Sequence, residues 1–100
     1  MAMVPGAELH AGAAVFRALG DPVRLRILRR LAAGPARVVD LTGELGLAQS
    51  TVSKHLACLR DCGLVEVRPH GRASVYRLAD PAVLDAAEAV LVAARRKPSR

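Results

Sequence analysis

One hundred residues that are 52% apolar supply one domain with enough material for a core; with no Trp, one Tyr and one Phe, that core has to be aliphatic. The formal charge of +6, carried by Arg at every basic position except Lys54 and Lys97, favours a polyanionic partner, with nucleic acid first. No run reaches the roughly 20 apolar residues that span a bilayer, and the N-terminus lacks the basic start and apolar centre of a secretory signal, so the expectation is a cytoplasmic protein, away from membranes, whose two cysteines are thiols.

Residues 1–6 read as a loose end. From about 7 to 19 the chain is Ala-rich, and Leu9, Ala13, Phe16 and Leu19 recur on a helical period. Gly20, Asp21 and Pro22 form a break and a new start. Asp21 can cap, and Pro22 suits the first helical position because its missing N–H would be unpaired there anyway. Val23, Ile27, Leu28 and Leu31 give a second amphipathic helix, with Arg24, Arg26, Arg29 and Arg30 on its other faces, and Gly34 and Pro35 stop it. Arg37 to Leu45 is a short third helix with Val38, Leu41 and Leu45 inward. Gly46 follows, where a left-handed residue is needed to leave it.

A fourth helix then runs to Gly63. Val52, Leu56 and Leu59 form its buried stripe at i, i+4 and i+7, while Gln49, Ser50, Thr51, Ser53 and Lys54 cluster near its start on the other side. Short polar and cationic groups in the first turns are what a helix uses to read bases and touch phosphates in the major groove. After Gly63 the period changes to two. Leu64–Arg68 and Ser74–Leu78 alternate around a Gly-containing turn of Pro69, His70, Gly71 and Arg72, which predicts a hairpin carrying Arg68, His70, Arg72 and Arg77. Asp80 and Pro81 repeat the cap-then-proline start. The last helix runs to about Arg96 with Val83, Leu84, Ala87, Val90, Leu91 and Ala94 on one face, and Arg95–Arg100 is a basic, frayed tail.

The fold class predicted is mainly α with a β-hairpin wing: a dimeric winged helix-turn-helix of order α-α-α-α-β-β-α. Residues 1–100 form one domain, with the helix-turn-helix at about 38–63 and the wing at about 64–78. The terminal helices lie at about 7–19 and 81–96. Small domains are marginal alone, and pairing is a common remedy. The DNA-facing candidates are Gln49, Ser50, Thr51, Ser53, Lys54, His55, Arg68, His70 and Arg72. No catalytic arrangement is present: there is no nucleophile elbow, no His-Glu-x-x-His and no phosphate-binding glycine loop, and Asp40 and Glu44 read as a solvated helix face.

From Phe16 to Asp80 the chain resembles the ArsR/SmtB family of bacterial winged-helix repressors. The resemblance is carried by the stretches Ala18–Leu28, Gln49–Leu56, Leu59–Val65 and Gly71–Leu78. It implies a homodimer joined through the first and last helices. It also implies binding to an imperfect palindrome in double-stranded operator DNA and release when an effector binds.

Cys58 and Cys62 lie one helical turn apart, on the flank shared by Thr51 and His55. Two thiolates at that spacing can share a soft metal ion; equally, two small thiols can simply fill a half-buried face. The stretch Ala57–Gly63 is similar to the recognition-helix site of the cadmium- and lead-sensing CmtR branch of the family, and that resemblance makes Cys58 and Cys62 metal ligands. In that branch a third cysteine in the C-terminal region completes the site. This sequence has no cysteine after Cys62 and none around Val38–Asp40. The third donor is then sought in His55, or in Glu8 or His10 of a partner's N-terminal arm. The candidate effectors are Cd, Pb, Zn, Hg, Cu(I) or an arsenical, the last three ions being able to accept fewer ligands. A thiol redox switch, and a winged-helix module that binds protein instead of DNA, are the competing readings.

Overall fold

The computed structural model describes residues 5–96. The element order is α1 (Pro5–Leu19), α2 (Pro22–Ala32), β1 (Ala36–Arg37), α3 (Val38–Leu45), α4 (Gln49–Asp61), β2 (Val65–His70), β3 (Ala73–Leu78) and α5 (Pro81–Arg95). The predicted α-α-α-α-β-β-α order is therefore present, with one strand added. The loose start expected for residues 1–6 is corrected at its inner end, because Pro5 and Gly6 already belong to α1. The rest of that segment, and residues 97–100 of the expected frayed tail, lie outside the described residues.

Local signals set most boundaries. The Asp21 carboxylate accepts the N–H groups of Val23 at 2.8 Å and Arg24 at 3.1 Å, with Pro22 at the first helical position. Asp80 does the same for α5, accepting from Ala82 N–H at 2.9 Å. Gly46 ends α3 at φ 67° and ψ 36°, and Gly63 follows α4 at φ 74°. Behind Gly63 the Leu64 N–H reaches back to the Leu59 carbonyl at 2.9 Å, the wrap-around bond of a glycine-terminated helix.

The sheet is antiparallel, with strand order β1-β3-β2. The strands run further into the turn than the alternation suggested, β2 by two residues and β3 by one: His70 pairs with Ala73, leaving only Gly71 and Arg72 as the loop. Gly71 sits at φ 63°, the value that a two-residue turn with glycine first requires. Pro69 is tolerated inside β2 because β2 is an edge strand. β1 is the addition: Ala36 and Arg37 pair with Tyr76 and Val75, so the chain entering α3 is fastened to the wing.

The core gathers Ile27, Leu28 and Leu31 of α2, Leu41 of α3, Val52, Leu56 and Leu59 of α4, Leu64 and Val65 at the root of the wing, and Ala18, Ala36 and Leu84. It is aliphatic, as composition requires. The apolar stripe of α1 lies elsewhere. Leu9 is 73% exposed and Phe16 70%, and on α5 Val90 is 63% exposed. Phe16, Leu19, Val83, Val90 and Leu91 line an open apolar groove of about 410 Å³ between α1 and α5.

The arginines on the other faces of α2 are tied into the fold. Arg24 Nε donates to the Ala18 carbonyl at 2.7 Å and its Nη2 to the Arg17 carbonyl at 3.0 Å, closing the end of α1. Arg26 Nη2 closes α3 through the Leu45 carbonyl at 3.0 Å. Arg29 grips Glu88 of α5 with two bonds of 2.7 and 2.6 Å, and Arg30 pairs with Glu44 at 2.9 Å. Asp40 and Glu44 are thus partners of arginine, and not merely a solvated face. Asp40 at the third position of α3 accepts from the Arg37 N–H at 2.9 Å and from its guanidinium at 3.2 and 3.1 Å.

Candidate nucleic-acid interface and thiol pair

The start of α4 is presented to solvent. Gln49, Ser50, Ser53 and Lys54 are exposed and Thr51 is half-buried, while Val52, Leu56 and Leu59 on the opposite side are sealed into the core. Alternation of sealed and open faces along one helix is what fixes the rotation of α4 about its axis: turning it to hide Lys54 would pull three fully buried aliphatic side chains into water. Ala48 precedes the helix with no side-chain cap. The amides of the first turn therefore meet no capping side chain, which suits an approaching phosphate.

His55 stands apart from these residues. It is half-buried, and its Nδ1 lies 3.5 Å from Nη1 of Arg24, on the corner between α1 and α2. Asp21 belongs to the same corner. Its carboxyl is held below the usual carboxylate range first by the Arg24 backbone N–H, against an opposing effect of burial, with the Val23 N–H and the charges of His55 and Arg24 adding to the lowering.

In the wing, Arg68, His70 and Arg72 are exposed. Glu66 draws Arg77 from across the hairpin to 3.4 Å and Arg68 of its own strand to 3.9 Å, so part of the wing's charge is neutralised within the wing. Such exposed pairs contribute little to stability and yield readily to a phosphate. Arg37, 53% exposed at its side chain and fixed beside β3, is a cation near this surface that sequence reasoning missed. No periodicity marks it, because its position is set by a strand of two residues.

The thiols Cys58 and Cys62 are free and half-buried, and they pack against the edge of the core. Cys62 Sγ makes a long contact, 3.8 Å, with the Ala14 carbonyl of α1. The pair thus sits where the far end of α4 meets α1, the helix that lines the apolar groove. Among the described residues no three His, Cys, Asp or Glu side chains come together as a metal cage. His55, turned to Arg24, does not complete one within a protomer. Glu8 and His10 lie exposed on α1, with His10 Nδ1 2.7 Å from the Gly6 carbonyl.

A solvent-facing polar helix held by an aliphatic core, followed by a two-stranded basic wing, defines a winged helix-turn-helix DNA-binding domain. The chain belongs to the arsR family of bacterial regulatory proteins, whose sequence profile matches residues 21–67. It is 39% identical over 84 residues to a "probable mercury resistance operon repressor" of Streptomyces lividans, covering 84% of this chain and 67% of that protein. It is 52% identical over 64 residues to the transcriptional regulator CmtR of Mycobacterium tuberculosis, covering 64% of this chain and 54% of that one, so it spans little more than half of CmtR's length. A winged helix-turn-helix DNA-binding domain of Mycobacterium bovis, solved as a homodimer, superposes with a TM-score of 0.84 at 34% identity, covering 95% of this chain and 88% of that one. The family is one of regulators and not of enzymes. Among the described residues no helix is long and apolar enough to cross a membrane.

Proposed function

We propose that two copies of this chain pair through α1 and α5 and repress transcription by laying their α4 helices into neighbouring major-groove segments of an operator. Gln49, Ser50, Thr51, Ser53 and Lys54 face the bases and flanking phosphates, His55 borders that surface, and Arg68, His70 and Arg72 of the wing lie along the adjoining backbone. The effector is a soft metal ion held by Cys58 and Cys62, the class of ion named for the mercury resistance repressor and for the cadmium sensor CmtR.

The observation that carries this reading is the position of the two thiols. Cys58 lies in the last turns of α4 and Cys62 caps that helix four residues on, at its contact with α1. Their chemistry fits a soft, thiophilic ion of low coordination number, and a third donor would have to come from beyond the described residues of one protomer. Cys58 and Cys62 would hold such an ion, which would supply a soft Lewis acid to their thiolates. The chain does the rest. Cys62 gives up its contact with the Ala14 carbonyl, the end of α4 shifts against α1, and the spacing of the paired α4 helices no longer matches two groove segments. A coupling of ~1–3 kcal/mol between the two sites would change operator occupancy roughly 5- to 150-fold.

The test is Cys58→Ser. This variant is expected to bind DNA from its own promoter as the native chain does, yet to stay bound when cadmium or mercury is added. Release of the variant by metal at the native concentration would remove the thiol pair from the mechanism.

A further inference from the structure

Beside the start of α4 lies an open cleft of about 370 Å³ whose walls come from three separate parts of the chain: Arg37, Val39 and Thr42 around the start of α3, Gln49 at the head of α4, and Ser74 on β3. None of its lining residues carries a carboxylate. The Thr42 hydroxyl is already committed as a donor, to the Val39 carbonyl at 2.9 Å. That leaves the Arg37 guanidinium, the Gln49 amide and the Ser74 hydroxyl to supply donors. Arg37 is pre-aimed. Asp40, outside the cleft wall, takes Nε and one N–H of Nη2, and β1 pins the backbone to Val75 of β3. A guanidinium has five N–H groups, so three remain for a ligand.

The geometry points to this cleft as the seat of one backbone phosphodiester of the bound duplex, with Arg37 as its principal contact and Ser74 and Gln49 completing the donor set. The inference rests on the DNA-binding reading above and adds residues to it. The cleft lies between the helix that enters the major groove and the wing, along the path that a strand must take in passing from one to the other. Val39, 62% exposed at the rim, offers an apolar surface to a deoxyribose. Fastening β1 to β3 then has a functional consequence: it holds a phosphate contact at fixed distance from the reading head, so that the wing and α4 share one register on the duplex.

The test is fluorescence anisotropy with a labelled duplex from the protein's own promoter and a scrambled duplex, at 50 and 200 mM salt. It compares the native chain with Arg37→Ala, Ser74→Glu and, as a reference for the helix face, Lys54→Ala. Loss of one phosphate contact per protomer flattens the log–log salt slope by ~0.9 per contact, so ~1.8 for a dimer, which is roughly 12-fold in the ratio of affinities across this salt range. Arg37→Ala is expected to show that flattening and to weaken both duplexes alike. Ser74→Glu, which places a carboxylate in the cleft while leaving the Arg37–Asp40 pair intact, is expected to weaken both at least as much. Should Arg37→Ala unfold α3, the exposed Ser74→Glu variant still decides. Native affinity and slope in both variants, with Lys54→Ala impaired, would overturn the cleft alone; failure of the native chain to bind either duplex would overturn the DNA-binding reading and the cleft with it.

Discussion

Truncating Phe16 tests whether the open groove between α1 and α5 is where a second copy sits. Phe16 leaves 70% of its surface in water within the protomer. Full burial of such a side chain stabilises by about 1.5–3 kcal/mol, so roughly 1–2 kcal/mol remains available to a partner. A twofold axis uses the same patch twice, so Phe16→Ala should cost the dimer about 2–4 kcal/mol and raise its dissociation constant roughly 30- to 700-fold. The protomer itself loses little, because the ring contributes little to the core. Sedimentation equilibrium over a wide concentration range measures the constant, and circular dichroism at high concentration checks that the helices persist. Operator affinity should fall in parallel, since single protomers would each have to find a half-site. A dissociation constant within threefold of the native value would show that the groove is not the pairing surface.

Other expectations follow from single positions. Gly46→Ala places a side chain at φ 67°, where a Cβ meets no neighbour within 4 Å, so its cost of ~1–2 kcal/mol is purely conformational; Gly43→Ala, inside exposed α3, should instead stabilise by about 0.5–1 kcal/mol, and thermal melts at one protein concentration would show the opposite shifts. Asp21→Ala removes the cap of α2 and should cost about 1 kcal/mol, or roughly 4–8 °C in melting temperature. Because the folded protein holds the Asp21 carboxyl below its ordinary value of 3.8, its contribution is present above that pH and fades as pH falls through the lower folded value. The native chain should therefore lose its advantage over Asp21→Ala below about pH 4, and a variant equally inferior at every pH would refute this. Mild peroxide should leave Cys58 and Cys62 without an internal disulfide, since bridging a residue of α4 to the C-cap four positions on needs the last turn to unwind; a loss of two hydrogens in the intact mass would favour a redox switch.

The helix boundaries were legible because their causes are local. Asp21 with Pro22, Asp80 with Pro81, and the left-handed Gly46 and Gly63 each act within a few residues of where they stand. The buried stripe of α4 was legible for the same reason, and with it the polar face left in solvent. What escaped depends on contacts between distant parts of the chain. Ala36 and Arg37 are a strand only because β3 lies beside them, so two residues with no period of their own acquired a sheet and, with it, the cleft at Arg37. The arginines of α2 form an amphipathic pattern whether they meet water or not. Only the packed structure brings Glu88, 59 residues away, and the Leu45 carbonyl, 19 residues away, to meet them. His55 shares a helix flank with the two cysteines on a wheel, and it is Arg24, from another helix, that draws its ring away.

The most direct measurement is a titration of the reduced protein, mixed with labelled promoter DNA, with cadmium and then with mercury, following the thiolate-to-metal absorption band and DNA anisotropy in one cuvette. The expected result is a band that grows and an anisotropy that falls over the same equivalents of metal, with both changes absent in Cys58→Ser. A saturated thiolate band with the DNA still fully bound would contradict the link between the thiol pair and the helix that carries it.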